Sequence, residues 1–220
     1  MIRRDDEYEL FAKELCKIIL NRNDLVLFDR PDVIAPDNSV GIEVTRAVAQ
    51  EMAKLDDAYF DKRDDVYDVL VPDGYELSDD KFRCLRPSRS FDEQYENEKM
   101  ELIKTCVKKK IKKATKYAET TKMGLFIYTD SPTAFNDKGK RKKLFKDIFD
   151  SQEKVCKELG VDLKFDFEFI IFFLEDFTQY IVVSKDKILE KELTKEIQKQ
   201  INENVYKEIE EAKENEYGKT

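Results

Sequence analysis

Asp32 and Glu43 are the two residues whose placement most needs a chemical reason. Both are carboxylates inside apolar, strand-like runs, DVIA at 32–35 and VGIEVT at 40–45. The turn-rich Pro36-Asp37-Asn38-Ser39 separates the runs. If they pair through this four-residue turn, residue 35 faces residue 40 and Asp32 faces Glu43. Facing side chains of an antiparallel pair have Cβ atoms roughly 4.5–5.5 Å apart. Like charges at that separation repel and raise one pKa, unless a cation stands between them. Alternation puts Glu43 on one face with Gly41 and Thr45, and Val40, Ile42 and Val44 on the other. Gly41 then leaves room beside the acids. A three-residue turn would instead send the acids to opposite faces. The plainer reading is an edge hairpin whose polar face meets water, with Arg30 or Arg46 balancing the acids.

Composition narrows the chemistry. The chain of 220 residues contains no histidine. That excludes Ser-His-Asp and Cys-His nucleophilic pairs and any histidine-ligated zinc or iron. Its four cysteines, Cys16, Cys84, Cys106 and Cys156, form no CxxC pair and read as reduced thiols of a cytoplasmic protein. Acid/base or metal work must then use carboxylates, lysines and water, which favours Mg²⁺, Mn²⁺ or Ca²⁺. Hydrophobic residues make up 41 % and charged residues 40 %, enough for a core under a very highly charged surface. No run is long and apolar enough to predict a membrane span, and the N-terminus lacks a signal-peptide pattern.

The elements that must hold the acids can be read in order. EYELFAKELCKIIL (8–20) has helical spacing. Strand-like runs follow at 25–28, 32–35 and 40–45. Residues 46–93 form an insertion with a helix-like first part, then an ordered loop or small hairpin with a turn at Pro72-Asp73-Gly74. A helix is predicted over 92–120, a strand over 123–129 and a helix over 141–159. Strands at 167–175 and 179–184 precede a long charged helix over 185–215. Strands interleaved with helices indicate an α/β or α+β sandwich around a mixed sheet. The domain reading is one unit over 1–185 plus a C-terminal helix, 186–220, that joins it or projects.

Pro31-Asp32, then GIEVT after an amphipathic helix, resembles the PD-(D/E)XK nuclease superfamily. That resemblance implies a restriction-endonuclease-like αβββαβ core with a mixed central sheet, here extended by a C-terminal strand pair and long helix. It implies Mg²⁺ or Mn²⁺ held by Asp32, Glu43 and the Val44 carbonyl. It implies hydrolysis of phosphodiester bonds in DNA, or less typically RNA. The departure is Thr45, where the family usually has a lysine. Some members draw the lysine from the next helix. Glu7, and Glu14 seven residues on, are further ligand candidates, because some members use a glutamate of the first helix. Both also read simply as surface glutamates.

The helix that follows offers a replacement. Ile103, Val107, Ile111, Ala114 and Ala118 share a stripe at about 100° per residue. Lys108, Lys109, Lys112 and Lys116 point away from it. Lys110 stands on its edge, a position that Tyr117 repeats. A lysine there either snorkels to water or supplies the missing catalytic cation; Lys113 is the next candidate.

Charge is unevenly spread. Residues 104–146 hold 14 Lys/Arg against three acids, in a chain whose net charge is −8. This block suits nucleic acid phosphates, or it balances the acidic remainder. In the last helix Leu189, Leu193, Ile197, Ile201, Val205 and Ile209 recur every four residues. The seam drifts by about 40° per step. Packing is therefore expected over 185–202, with the end projecting, fraying or meeting a protein partner or second copy. Two other functions fit the pattern less specifically. One is a catalytically inactive nuclease-fold binding protein of bacterial or phage origin. The other is an interaction protein of unrelated α+β fold, in which Asp32 and Glu43 would lie far apart.

Overall fold

The structure, a computed structural model, describes residues 4–47, 75–77, 85–87, 93–114, 116–129, 138–162, 167–174 and 179–217. Helix α1 (Arg4–Leu20) leads into β1 (Val26–Leu27), β2 (Val33–Ile34) and β3 (Gly41–Arg46). Within the insertion, β4 (Tyr75–Leu77) and β5 (Leu85–Pro87) pair as a separate antiparallel hairpin. The helix expected over its first part, and Cys84, lie outside the described residues. Helix α2 (Glu93–Ala114) precedes β6 (Met123–Thr129). Then come α3 (Lys138–Asp150), α4 (Gln152–Leu159), β7 (Phe169–Leu174), β8 (Gln179–Ser184), β9 (Ile188–Glu192) and α5 (Lys195–Tyr217).

The central sheet has seven strands in the order β1-β2-β3-β6-β7-β8-β9. Strands β3, β6 and β7 run parallel, and the remaining neighbours are antiparallel. This is the expected mixed sheet with helices on both faces. Parallel strands covered on both faces should read as continuous apolar runs. MGLFIYT and FIIFFL do so, and both are buried almost throughout. Alternation divides them between two cores. Ile42, Val44, Phe126, Tyr128, Ile171 and Phe173 pack with α1 and α5. Leu125, Ile127, Ile170, Phe172 and Leu174 pack with α2, α3 and α4. Phe145 of α3 stacks on Phe172 with ring centroids 4.1 Å apart. On the other face, the Tyr128 hydroxyl donates to the Tyr8 carbonyl at 2.7 Å and fixes α1 to β6.

Three expectations change. The helix predicted over 141–159 is two helices meeting at Ser151, whose hydroxyl bonds back to the Ile148 carbonyl at 2.7 Å. Beside that break the buried Gln152 amide clamps Phe167 at both its main-chain N–H and its carbonyl. The long helix starts at Lys195 rather than 185, because 188–192 form β9 on the sheet edge. Thr194 caps the shorter helix through its hydroxyl, which accepts from the Ile197 N–H at 3.3 Å. Nor does α5 leave the domain after 202. Val205 and Ile209 are buried in the α1 core. Lys13 of α1 bonds Glu208, and Glu14 accepts from Asn204 at 2.9 Å. The drifting seam is absorbed by the chain's own core.

Gly41 has a packing role. A Cβ there would lie 2.6 Å from Pro31 Cγ and 3.0 Å from Thr120 Cγ2. The room expected beside the acids is filled by the proline that precedes Asp32. Gly41→Ala must push Pro31 aside and should lose about 1–3 kcal/mol, the usual range for overpacking. Chemical denaturation would show it; an unchanged midpoint would mean that Pro31 moves freely.

Candidate active site at the β2–β3 hairpin

The acids meet because the hairpin has the register that the turn length implies. Val33 pairs with Ile42 and Ile34 with Gly41. One residue further along, Asp32 stands opposite Glu43. The turn is held by local bonds. Ala35 N–H reaches the Val40 carbonyl at 2.9 Å, and the Asp37 carboxylate accepts from the Ser39 N–H at 3.0 Å. Arg22 ties the turn to the end of α1 through Asp37 and Ser39. The segment after α2 laces onto the same hairpin. Ala118 N–H donates to the Arg30 carbonyl, and Thr121 N–H to the Asn38 carbonyl, each at 2.9 Å. Those bonds bring Tyr117 and Lys116 to the acids.

Parity decides which helix covers Glu43. Ile42 and Val44 face α1, so Glu43 must face α2. Lys110 arrives from that helix. Its Nζ donates to Glu43 Oε1 at 2.5 Å and to the Val44 carbonyl at 2.8 Å. It does not snorkel; its side chain is 17 % exposed and Glu43's only 6 %. Neither arginine balances the acids in its place. Arg30 lies 3.7 Å from Asp29, and Arg46 stands over the Tyr8 ring at 4.3 Å on the opposite face.

Asp32 Oδ2 accepts from the Val44 N–H at 2.6 Å. Burial, then the neighbouring Glu43 charge, push its carboxyl up to about 6. The Val44 hydrogen bond and Lys110 oppose this less strongly. Glu43 Oε2 is buried and makes no hydrogen bond of ordinary geometry. A buried acceptor left in that state is unusual in a folded protein. Tyr117 closes one side. Burial, then the Glu43 charge, hold its phenol far above the usual range, so it stays a neutral donor.

These groups line one cavity of about 350 Å³ with Asp29, Arg30, Lys113 and Lys116. Its floor is acidic and its rim is largely basic. Asp32, Glu43, Val44 and Lys110 thus come together as expected, and Lys113 joins them on the rim. Glu7 and Glu14 do not line the cavity. Glu14 bonds Lys17 at 2.6 Å as well as Asn204, a buried network joining α1 to α5. Thr45 follows Glu43 on the α2 side, next to the Cys106 thiol. The ammonium beside the two acids is that of Lys110 on α2. Sequence reasoning gave Tyr117 and Asp29 no site role and had Lys116 pointing away with the solvated face, whereas it lines the cavity. Their places depend on the lacing of 116–122 onto the hairpin, which has no periodic signal.

No family model, curated protein or solved structure matches the chain.

Proposed function

We propose that the chain is a divalent-metal-dependent phosphodiesterase acting on nucleic acid, built on the PD-(D/E)XK plan with its lysine relocated to α2. The observation that carries this reading is the convergence of Asp32, Glu43 and Lys110 at the floor of a cavity rimmed by Arg30, Lys113 and Lys116. A metal fits the donor chemistry. Two carboxylates and a main-chain carbonyl are hard oxygen ligands, and Glu43 Oε2 is buried with no hydrogen bond of ordinary geometry. Among the described residues no three acidic, cysteine or histidine side chains gather as a metal cluster. An ion resting on the two carboxylates would be Mg²⁺ or Mn²⁺, which commonly take one or two carboxylates and keep several waters or substrate oxygens.

Such an ion lowers the pKa of a bound water and stabilises charge on the phosphate. Asp32 and Glu43 would hold it, with the Val44 carbonyl as third donor. Lys113, Lys116 and Arg30 bind the flanking phosphates without reading sequence. The basic block of residues 104–146 does not form one surface there: Arg141 and Lys142 of α3 pair with Glu190, and Lys146 with Asp150, so the phosphate-binding cations are those of the rim. Tyr117, neutral at any working pH, donates a hydrogen bond toward the floor.

Purified protein with Mn²⁺ should nick supercoiled plasmid, and Asp32→Ala should reduce nicking to background. Equal cleavage by the variant would refute the assignment. A second reading, a nucleic acid binder without catalysis, is favoured by the uncharged Thr45 and by the ammonium already paired with Glu43. It expects no nicking, no Mn²⁺ binding, and nucleic acid affinity that falls steeply with salt.

A further inference from the structure

Lys110 Nζ bonds Glu43 Oε1 and the Val44 carbonyl. These are two of the three groups that the proposed metal would use. An ammonium and a divalent ion need the same oxygen lone pairs, and two cations that close repel strongly. On the phosphodiesterase reading, we infer that Lys110 is a displaceable occupant of the metal position, and that metal and ammonium exchange there. Glu43 Oε2, buried near the Tyr117 hydroxyl and without a hydrogen bond of ordinary geometry, is where an entering ion finds a lone pair that Lys110 has not taken.

The exchange changes the sign of the cleft floor. With both acids ionised, two carboxylates against one ammonium leave a surplus negative charge. A divalent ion turns the surplus positive, and the released Lys110 lies on the helix that carries Lys113 to the rim. An anion is then attracted to a place that previously repelled it. Metal and phosphodiester therefore bind with positive coupling, and each strengthens the other by the same factor. Without metal, Lys110 is held back from the phosphate.

Calorimetric titration of Mn²⁺ alone into the full chain at about pH 8, above the Asp32 titration near 6, tests the exchange. Wild type must release Lys110, whereas Lys110→Met has nothing to release. The variant should bind at least about tenfold more tightly, a factor equal to 1.4 kcal/mol. Equal or weaker binding by the variant overturns the inference and leaves the phosphodiesterase reading standing. Absence of Mn²⁺ binding by both proteins overturns the two together. A second measurement needs only wild type. The side-chain ¹⁵N signal of Lys110, assigned by its loss in Lys110→Arg, should lose its ion-paired character as Mg²⁺ saturates. A signal that stays unchanged with the metal bound overturns the exchange.

Discussion

Lys110→Met should lower the stability of the metal-free protein by about 3 kcal/mol or more, the usual result of removing one partner from a buried ion pair. The substitution keeps most of the aliphatic stem and removes the ammonium. Glu43 Oε1 loses its donor at 2.5 Å and the Val44 carbonyl loses one at 2.8 Å. Glu43 Oε2 already makes no hydrogen bond of ordinary geometry, so the buried carboxylate is left with only the neighbouring Tyr117 hydroxyl as a donor. In a chain of this length each kcal/mol moves the midpoint by roughly 2–4 °C, so a fall of about 6–12 °C is expected. The effect should shrink when Glu43→Gln is added, since the stranded charge is then gone. It should also shrink by about 1.4 kcal/mol in saturating Mn²⁺, because the variant binds the ion about tenfold more tightly than wild type at the same concentration. A loss below about 0.5 kcal/mol, the level of an ordinary surface change, would place the pair effectively in solvent.

The strained centre was legible because each of its parts obeys a strong local rule. A four-residue turn with strict alternation leaves one register that buries Val33, Ile34 and Ile42, and that register makes Asp32 and Glu43 neighbours. Helical spacing put Lys110 on the edge of the stripe formed by Ile103, Val107 and Ile111. Those three are fully buried or nearly so. An edge residue on a helix that covers β3 must look across at the α2-facing side chains of β3, among them Glu43. The two inferences were independent and met at one atom pair. That consistency between turn chemistry, strand period and helix period is what a sequence offers when it specifies one arrangement.

What stayed hidden depends on tertiary contacts. Leu189 and Leu193 are four apart and imitate a helix, yet 188–192 pair with β8 and Glu190 bonds Arg141 of α3. Thr194, a capping residue just before Lys195-Glu196, was the local sign that the helix starts later. The seam of α5 drifts because it follows α1 along its length, which no periodicity count distinguishes from a surface awaiting a partner. Tyr117 reads as one more helical position, but α2 ends at Ala114 and Tyr117 belongs to the following turn. It reaches the cavity all the same, because Ala118 bonds Arg30 across the hairpin.

Asp32→Asn should make the protein more stable at about pH 8 and inactive at every pH. The sign follows from the carboxyl's being pushed up to about 6 by burial and by Glu43. An unfolded chain holds the same group near 3.9. Below about pH 4 both states are protonated, and the favourable contribution of the neutral acid is complete. Between about 4 and 6 the unfolded chain gives up its proton while the native protein keeps it, and that contribution is lost. Above about 6 both are ionised, and the native state alone bears the buried, repelled charge. Each pKa unit is worth about 1.4 kcal/mol; with partial solvent access the net penalty should be about 1–2 kcal/mol. Asparagine keeps an oxygen to accept the Val44 N–H and carries no charge. Denaturant midpoints of the two proteins should therefore coincide near pH 4 and separate in the variant's favour by pH 8. A wild type more stable than the variant at pH 8 would make Asp32 a structural tie between the two strands of the hairpin, through the Val44 N–H. If the variant is the more stable, the chain retains an ionised acid against its own folding, as residues kept for function at the expense of stability do.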